Sequence, residues 1–444
     1  MKAFLEKFNT RTILRASLLL AFFSLLSRVV GGLRDLILVS HFGATDILDV
    51  YYLAFDIPDF IFNLLVAGAL AAAFIPVFIE HQEKQPGQEW KLASNFLSFL
   101  FVAVAGLGLV IFIFTPQLIA LIAPGFPLGK QGLAIMFTRI MLLSPLIFAV
   151  SGVVGSVLQS FNRFVAFSAA PIIYNLGIIF GALVLEPKFG PAGLAYGVVL
   201  GALLHLALQW MAAHRIGFRW RPALDWTSQG MRKIFKLMIP RTIGLVAGQI
   251  NIITLDAFAS TVGIGSVAVL NIANNFQYLP IALVGISAAV AAFPTMSRDA
   301  LQQDKTVFTK RLNGILKRLL IIIIPTSIVF WLLRYWLLHL LLYFGDFRVA
   351  DINALAEVLG MFILGVWAQT LIPTLSRAFY ALQNTITPVT ISVASILVNI
   401  ALSLYFLRVL HWGVPGLAFA FSLAGMLNAL VLWLFLRRAL AKLA

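Results

Sequence analysis

The chain contains no cysteine, and acidic side chains are scarce: 17 Asp and Glu stand against 32 Lys and Arg in 444 residues, a formal net charge of +15. Without cysteine, disulfide bonds, thioether-linked haem and thiolate metal sites are excluded. Charged residues make up only 11% of the chain, whereas soluble domains carry about 25%. Hydrophobic residues reach 61%, more than one water-soluble core can bury. A soluble enzyme, a disordered protein and a secreted disulfide scaffold are therefore excluded.

Long apolar runs fill most of the chain. A helix that crosses a membrane needs roughly 20 mostly apolar residues, and no segment shows the alternating polarity of barrel strands. We therefore predict an all-α polytopic membrane protein with about 12 transmembrane helices. We interpret the first run as a retained helix, because no small-x-small cleavage site follows it. The predicted helices span about 14–40, 46–79, 92–122, 131–160, 164–186, 189–213, 231–260, 264–297, 310–343, 350–381, 386–409 and 413–436.

The basic residues gather in alternate loops between the predicted helices. When the N-terminus is placed in the cytoplasm, most of the 32 Lys and Arg residues fall in cytoplasmic segments, as the positive-inside rule requires. The opposite orientation would violate that rule. The charge distribution therefore predicts that both termini are cytoplasmic, and it gives no indication of nucleic-acid binding.

Two pairs of similar segments indicate an internal repeat. The sequence "GPAGLAYG" at 190–197 resembles "GVPGLAFA" at 413–420, and "AFIP" at 73–76 resembles "AAFP" at 291–294. Both offsets are close to half the chain, which is a layout found among secondary transporters. We therefore predict two pseudo-symmetric six-helix bundles, at 1–213 and 231–444, joined by a basic cytoplasmic linker at 214–230.

Several ionisable residues lie inside the predicted helices. Each costs at least about 2.5–3.5 kcal/mol on insertion scales, so each is a functional candidate. Arg28 and Asp35 are seven positions apart and therefore share one helix face. The full set comprises Arg28, Arg34, Asp35, Asp56, Asp59, Arg139, Asp256, Arg334 and Glu357.

The arginines of the first helix favour an anionic substrate. Arginine suits phosphate because its planar guanidinium donates two parallel hydrogen bonds and keeps its charge. We hypothesise that a phosphate-bearing substrate binds in a wet central cavity; in the alternative, Arg34 only neutralises Asp35 or Asp56. The predicted substrate-binding residues are Arg28, Arg34, Asp35, Asp56, Asn274 and Asn275, and the predicted ion-coupling residues are Asp256 and Glu357.

Patterns for other chemistry are missing from the sequence. The six histidines are dispersed without metal-ligand spacing, and no G-x-x-x-x-G-K-[ST] pattern for ATP is present. We expect His205 to be a hydrogen-bonded packing residue, and Gly177 with Gly181 to allow close helix approach. We therefore predict a transporter and no enzyme, without metal or cofactor, driven by a coupling cation or by the membrane potential.

The segment from Ser27 reads "SRVVGGLRDLILVSHFGATDILDVYYLAF". It matches the pattern S-R-x-x-G-x-x-R-D and resembles the start of the MurJ/MviN family, lipid II flippases of the multidrug/oligosaccharidyl-lipid/polysaccharide exporter superfamily. Similar segments follow in the same order over most of the chain. They are "IPDFIFNLLVAGALAAAFIPVF" at 57–78, "APGF" at 123–126, "LQSFNRF" at 158–164 and "RAFYALQNTITPV" at 377–389.

The resemblance implies an alternating-access flippase of the bacterial cytoplasmic membrane that moves the undecaprenyl-pyrophosphate-linked peptidoglycan precursor outward. It implies that Arg28 and Arg34 belong to a cationic cavity with Asp35 beside them, and that membrane lipids and cell-wall synthesis proteins are partners. The chain departs from the family pattern where basic or acidic residues are expected. Those positions hold Asp56, Phe62, Asn63, Ala67, Asn274 and Asn275.

Three other functions stay open at this point. A cation-coupled drug antiporter of the same superfamily would need an acidic, aromatic pocket, which Arg28 and Arg34 disfavour. An exporter of another lipid-linked polysaccharide would share the cationic cavity. A non-transporting membrane scaffold that binds synthesis enzymes would explain the positions where the family's charged residues are replaced.

Overall fold

The computed structural model describes residues 10–67, 70–301, 305–343 and 347–442. Most of its helices follow the predicted apolar runs, because the length of an apolar run limits the length of the helix that can cross a membrane. The run predicted at 46–79 contains two α-helices, and the run predicted at 131–160 is divided at Leu142. The helices are α1 (Thr10–Phe42), α2 (Asp46–Ile61), α3 (Ile75–Lys84), α4 (Glu89–Ile122), α5 (Leu128–Met141), α6 (Leu143–Ser160), α7 (Phe164–Phe180), α8 (Glu186–Phe189), α9 (Ala192–Arg215), α10 (Gln229–Ser260), α11 (Ser266–Pro280), α12 (Ser287–Leu301), α13 (Lys305–Leu342), α14 (Val349–Ala381), α15 (Ile386–Arg408) and α16 (Gly413–Lys442).

The prediction of an all-α polytopic membrane protein is confirmed. The residues described contain no strand, and nine of their helices are long and apolar enough to cross a membrane. These nine cover Glu89–Ile122, Leu128–Ser160, Phe164–Phe189, Ala192–Arg215, Ser266–Ala300, Thr306–Leu342, Val349–Ala381, Ile386–Arg408 and Gly413–Ala441.

Two prolines inside the predicted helices come shortly before segments of π-helix, which is wider than an α-helix. Pro58 lies in α2, shortly before the π-helical segment Phe62–Ala67, and Pro280 ends α11, directly before the π-helical segment Ile281–Ile286. A proline has no N–H to donate to the preceding turn, so the helix changes its hydrogen-bonding pattern there. Pi-helical turns of this kind are frequent at functional sites.

The described helices form two compact units. The first unit contains the residues up to Leu38, then Val50–Leu121 and Pro127–Ile250, and the second contains Val39–Asp49, Ile122–Phe126 and the residues from Asn251 onward. The unit boundaries therefore fall inside α1, α2, α4 and α10 and in the turn after Phe126. The division of the sequence into halves at 214–230 stays a prediction.

Glycines hold α7 against α9 inside the first unit. A Cβ atom at Gly177 would lie 2.3 Å from the Cα of Gly201, and one at Gly181 would lie 2.5 Å from the Cα of Gly197. In a membrane, helix association depends on close packing of this kind, because lipid tails are as apolar as the side chains. The close approach predicted for Gly177 and Gly181 is therefore present, and its partners are Gly197 and Gly201.

The segment that would link two halves is fixed to α4 in the first unit. Asn95 and Asp225 exchange two hydrogen bonds, since the Asn95 side chain donates to the Asp225 carbonyl at 2.6 Å and accepts from the Asp225 N–H at 2.7 Å. The indole of Trp220 donates to the Ser98 hydroxyl at 3.0 Å. Hydrogen bonds from Thr227 and Ser228 to the Asp225 carboxylate lower the pKa of that group.

A charged tether joins α3 to α10 in the same unit. Glu80 pairs with Lys233 on α10 and with Lys84 one turn away, the latter at 3.0 Å. Hydrogen bonds from these two ammonium groups lower the pKa of Glu80 to about 2. The tether is exposed, so it orders the polar ends of these helices without contributing a strong interaction.

A buried carboxylate closes the start of α11 in the second unit. Asp49 is fully buried, and its two oxygens accept hydrogen bonds from the backbone N–H groups of Gly265 at 2.7 Å and Ala268 at 2.8 Å. The first N–H groups of a helix have no partner within the helix, and a negative charge there also complements the helix dipole. Gly265 adopts a φ of +80°, and a Cβ atom there would lie 2.5 Å from the Ala44 carbonyl oxygen.

We expect Asp49→Ala to lower the free energy of unfolding by about 1–3 kcal/mol, because it leaves buried N–H groups without an acceptor. Asp49→Asn keeps one acceptor oxygen and should lose less. Thermal melting of the detergent-purified protein measures both changes. A melting temperature equal to that of the wild type for Asp49→Ala would show that this cap does not stabilise the unit.

Candidate functional site

Arg34 is held in a fixed position near the middle of the charged segment of α1. Its Nε and Nη2 donate to Asp35 Oδ1 at 2.9 and 2.6 Å, and its Nη1 donates to Asn175 Oδ1 on α7 at 2.9 Å. Asn175 is itself oriented, because its amide donates to the Pro171 carbonyl at 3.0 Å. The side chains of Arg34 and Asp35 are 22% and 19% exposed, so the pair is accessible from one side.

The pairing of Arg34 leaves part of its donor capacity for a ligand. A guanidinium carries five N–H groups, and the three bonds above use one from each nitrogen. The alternative, in which Arg34 only neutralises Asp35, accounts for the two hydrogen bonds to Asp35 but not for the bond to Asn175. The remaining N–H groups of Arg34 can still donate to an anion, since the carboxylate and the amide restrain the guanidinium without surrounding it.

Arg28 lies on the same helix, six positions before Arg34, and its side chain is exposed. It forms no hydrogen bond or ion pair with any residue that the structure describes. Between the two arginines, α1 approaches α7 closely, because a Cβ atom at Gly31 would lie 3.7 Å from the Asn175 amide. Arg28 is therefore a cation without a structural counter-charge among the described residues, next to a helix contact that positions Arg34.

The two carboxylates of α2 have different surroundings. Asp56 is buried, with 3% of its surface exposed, whereas Asp59 is exposed to a cavity on the other side of Pro58. The sequence favoured Asp56 as a substrate contact. In the structure, the accessible carboxylate of this pair is that of Asp59, and that of Asp56 is buried.

The candidate residues of the second unit form short polar contacts. Asp256 is buried and accepts a hydrogen bond from the Asn271 amide at 2.8 Å. Asn274 accepts one from Gln277 at 2.8 Å, while Asn275 is exposed. Glu357 is an exposed residue of α14. The structure thus gives Asp256 a local partner, Asn271.

Amide side chains are the polar contacts that the sequence argument missed. Asn175 binds Arg34, Asn63 donates to Gln249 at 3.0 Å, and Asn399 on α15 donates to Asn251 on α10 at 2.8 Å. Each is an isolated amide in an apolar helix, and such residues usually bond across helices. That rule could have selected them, although it could not have named their partners.

Two other charged residues that the sequence selected, Arg334 and Arg139, have their guanidinium groups packed against aromatic rings. The guanidinium of Arg334 lies 4.2 Å from the Trp331 ring centre and 4.6 Å from that of Tyr335. Arg139 lies 4.7 Å from the Phe112 ring centre and donates to the Phe112 carbonyl at 3.3 Å. Cation–π contacts stabilise such charges locally. His205 bonds to Ser151 at 2.7 Å, as expected for a hydrogen-bonded packing residue.

Comparison with known proteins gives consistent matches. The family model described as "Lipid II flippase MurJ" matches residues 38–444. The "Probable lipid II flippase MurJ" of Buchnera aphidicola is 28% identical over 428 residues, which cover 95% of this chain and 83% of the relative. The "Lipid II flippase MurJ" of Burkholderia cenocepacia is 26% identical over 435 residues, which cover 96% of this chain and 84% of the relative.

Solved structures share the fold. The structure titled "Lipid II flippase MurJ, inward closed conformation" superposes with a TM-score of 0.81 at 24% identity, covering 96% of this chain and 90% of that one. An inward-facing multidrug resistance transporter of the MATE family superposes with a TM-score of 0.79 at 17% identity, covering 94% of this chain and 95% of that one. At these identities the likeness shows the fold alone.

Proposed function

The chain belongs to the family of MurJ lipid II flippases, and from this membership we propose that it moves lipid II from the inner to the outer leaflet by alternating access. The family is one of transporters and not of enzymes, so the prediction of a transporter is confirmed. The function places the protein in peptidoglycan biosynthesis, because lipid II is the lipid-linked precursor of that polymer.

One observation carries the proposal for the substrate: Arg34 is restrained by Asp35 and Asn175 while keeping N–H groups for a ligand. Arg28 supplies a second guanidinium on the same helix. A pyrophosphate presents several anionic oxygens, and guanidinium groups bind such oxygens with paired, charge-assisted hydrogen bonds. We therefore propose that Arg28 and Arg34 hold the pyrophosphate of the substrate, with Asp35 positioning Arg34.

The other predicted site residues have supporting roles in this proposal. Asn274 and Asn275 of the second unit would offer hydrogen bonds to a glycan, since amide groups both donate and accept, whereas Asp56 is buried and its role stays a prediction from the sequence. Asp256 and Glu357 would serve as coupling sites for a cation. A charge that crosses a potential of 100 mV gains about 2.3 kcal/mol, which is enough to bias the return of the empty carrier.

The setting of the protein follows from the same membership. It is a multi-pass membrane protein, and we propose that it lies in the bacterial cytoplasmic membrane with both termini in the cytoplasm. Its partners would be the lipid-linked glycan and membrane lipids, and cell-wall synthesis proteins would supply and consume the substrate.

The proposed function is tested by complementation of a bacterial strain depleted of its own lipid II flippase. We expect this chain to restore growth and to restore lipid II at the outer leaflet, measured by its accessibility to an external reagent. A chain that is present in the membrane at normal abundance but leaves lipid II inaccessible would refute the proposal. Drug efflux without any effect on lipid II would instead support the antiporter.

A further inference from the structure

A cavity of about 440 Å³ lies inside the first unit, separate from the Arg34 contacts. Five aromatic side chains form much of its wall: Phe55, Phe62, Phe148, Phe167 and Tyr174. Phe148 is central, since its ring centre lies 5.8 Å from that of Phe62 and 5.2 Å from that of Tyr174, both edge-to-face. Phe62 begins the π-helical segment that follows α2, so this segment contributes part of the aromatic wall.

Asp59 is the acidic group of this cavity. Within the described part of the chain, its carboxylate forms no hydrogen bond or ion pair. The described lining includes no Lys or Arg that could neutralise it. A carboxylate in a largely apolar cavity without a counter-charge is costly, which is why such a group indicates a ligand of opposite charge.

Gln209 is a second polar residue of the lining, and one of its side-chain atoms has no partner among the described residues. Gln209 is 1% exposed, and its Oε1 atom has no hydrogen-bond donor among the residues that the structure describes. Its amide nitrogen lies 3.5 Å from His205 Nε2, and His205 Nδ1 lies 2.7 Å from the Ser151 hydroxyl. That oxygen packs against Gly155, where an added Cβ atom would lie 2.6 Å away, so it is a buried group of the cavity wall and does not contact a ligand.

The chemistry of the lining selects the class of ligand. It combines several aromatic faces with a carboxylate that has no partner among the described residues, and both attract an ammonium group. We propose that this cavity, here called the Asp59 cavity, binds an organic ammonium group supplied by the headgroup of the transported lipid. This assignment of the source rests on the proposed function.

The position of the cavity relative to Arg34 supports that source. Tyr174 lines the Asp59 cavity, and the next residue, Asn175, binds Arg34. One unit therefore offers a cationic contact and an anionic contact near each other, which fits a headgroup that carries a pyrophosphate at one end and a peptide amine further away.

The proposal is tested by binding to the detergent-purified full chain, with Asp59→Asn as the variant and Glu83→Gln as the matched control. Glu83 is an exposed acid of α3 outside the cavity. The probes are lipid II, lipid II acetylated on its peptide amine, and ethidium as a free aromatic cation. We expect wild type and Glu83→Gln to bind unmodified lipid II about tenfold more tightly than the acetylated form, and Asp59→Asn to bind both equally.

The ethidium measurement separates the two sources of the ammonium group. Asp59-dependent binding of lipid II without ethidium binding supports the headgroup amine, and Asp59-dependent binding of ethidium alone supports a free cation in the same site. The second result would leave the ammonium site in place while the lipid II assignment fails. Equal affinity of wild type for both lipids, together with ethidium binding that Asp59→Asn does not weaken, would overturn the proposal.

Discussion

Replacing Arg34 or Arg28 with alanine is expected to abolish the exposure of lipid II at the outer leaflet while affecting the fold differently. A charge-assisted hydrogen bond contributes about 1.5–3 kcal/mol, so loss of either guanidinium should weaken pyrophosphate binding by about 10- to 100-fold. Arg34→Ala also removes the positive charge beside Asp35 and should lower the melting temperature. Arg28→Ala breaks no hydrogen bond or ion pair with a described residue, so this variant should melt at the same temperature as the wild type.

The difference in melting temperature between Arg34→Ala and Arg28→Ala distinguishes a residue that contacts only substrate from one that also stabilises the fold. The measurements are lipid II accessibility in flippase-depleted cells, protein abundance in the membrane and thermal melting in detergent. Arg139→Ala is the matched control, because Arg139 contacts only the ring and carbonyl of Phe112 in the contacts described above. Arg34→Lys keeps the charge but loses the fork geometry and should retain part of the activity. Full flipping by both Arg28→Ala and Arg34→Ala would refute the site.

Gly177→Ala is expected to be strongly damaging in the first unit. The added methyl group would lie 2.3 Å from the Cα of Gly201, which is backbone and cannot rotate away. Helices α7 and α9 must then separate, and the loss should reach or exceed the 1–3 kcal/mol typical of overpacking. Without that contact, alanine would stabilise the helix by about 1 kcal/mol relative to glycine.

The control for this prediction lies on α4. A Cβ atom added at Gly106 would meet no atom within 4 Å, so Gly106→Ala should leave the melting temperature unchanged or raise it slightly. Thermal melting and membrane abundance report both variants. If Gly177→Ala melts at the temperature of Gly106→Ala, the close packing of α7 on α9 does not contribute to stability.

Much of the membrane architecture could be predicted because it depends on local properties. The predicted runs at 92–122 and 386–409 became α4 and α15 with ends that differ by at most a few residues. An apolar run long enough to cross a membrane has no other stable solution, since every backbone polar group must be bonded within the helix. Arg34 could also be selected as a candidate site residue, because a charge in such a run is costly wherever it lies.

The partners of those charges could not be predicted. Asn175 binds Arg34 across 141 positions of sequence, and no spacing rule selects it from the other amides. The two acids of α2 are three positions apart, yet only the packing around Pro58 buries Asp56 and opens Asp59 to a cavity. Helix periodicity gives the face of a residue within its own helix, but not the neighbour which that face meets.

The sequence by itself determined that this protein is an all-α membrane protein and that it resembles lipid II flippases, and it predicted that the arginines of α1 contact the substrate. These properties follow from composition, run length and local motifs. Only the tertiary structure decided that Arg34 is restrained by Asp35 and Asn175, that Gly177 and Gly181 meet Gly201 and Gly197, and that Asp59 faces an aromatic cavity. Those features depend on contacts between helices distant in sequence, where packing of whole side chains selects one arrangement.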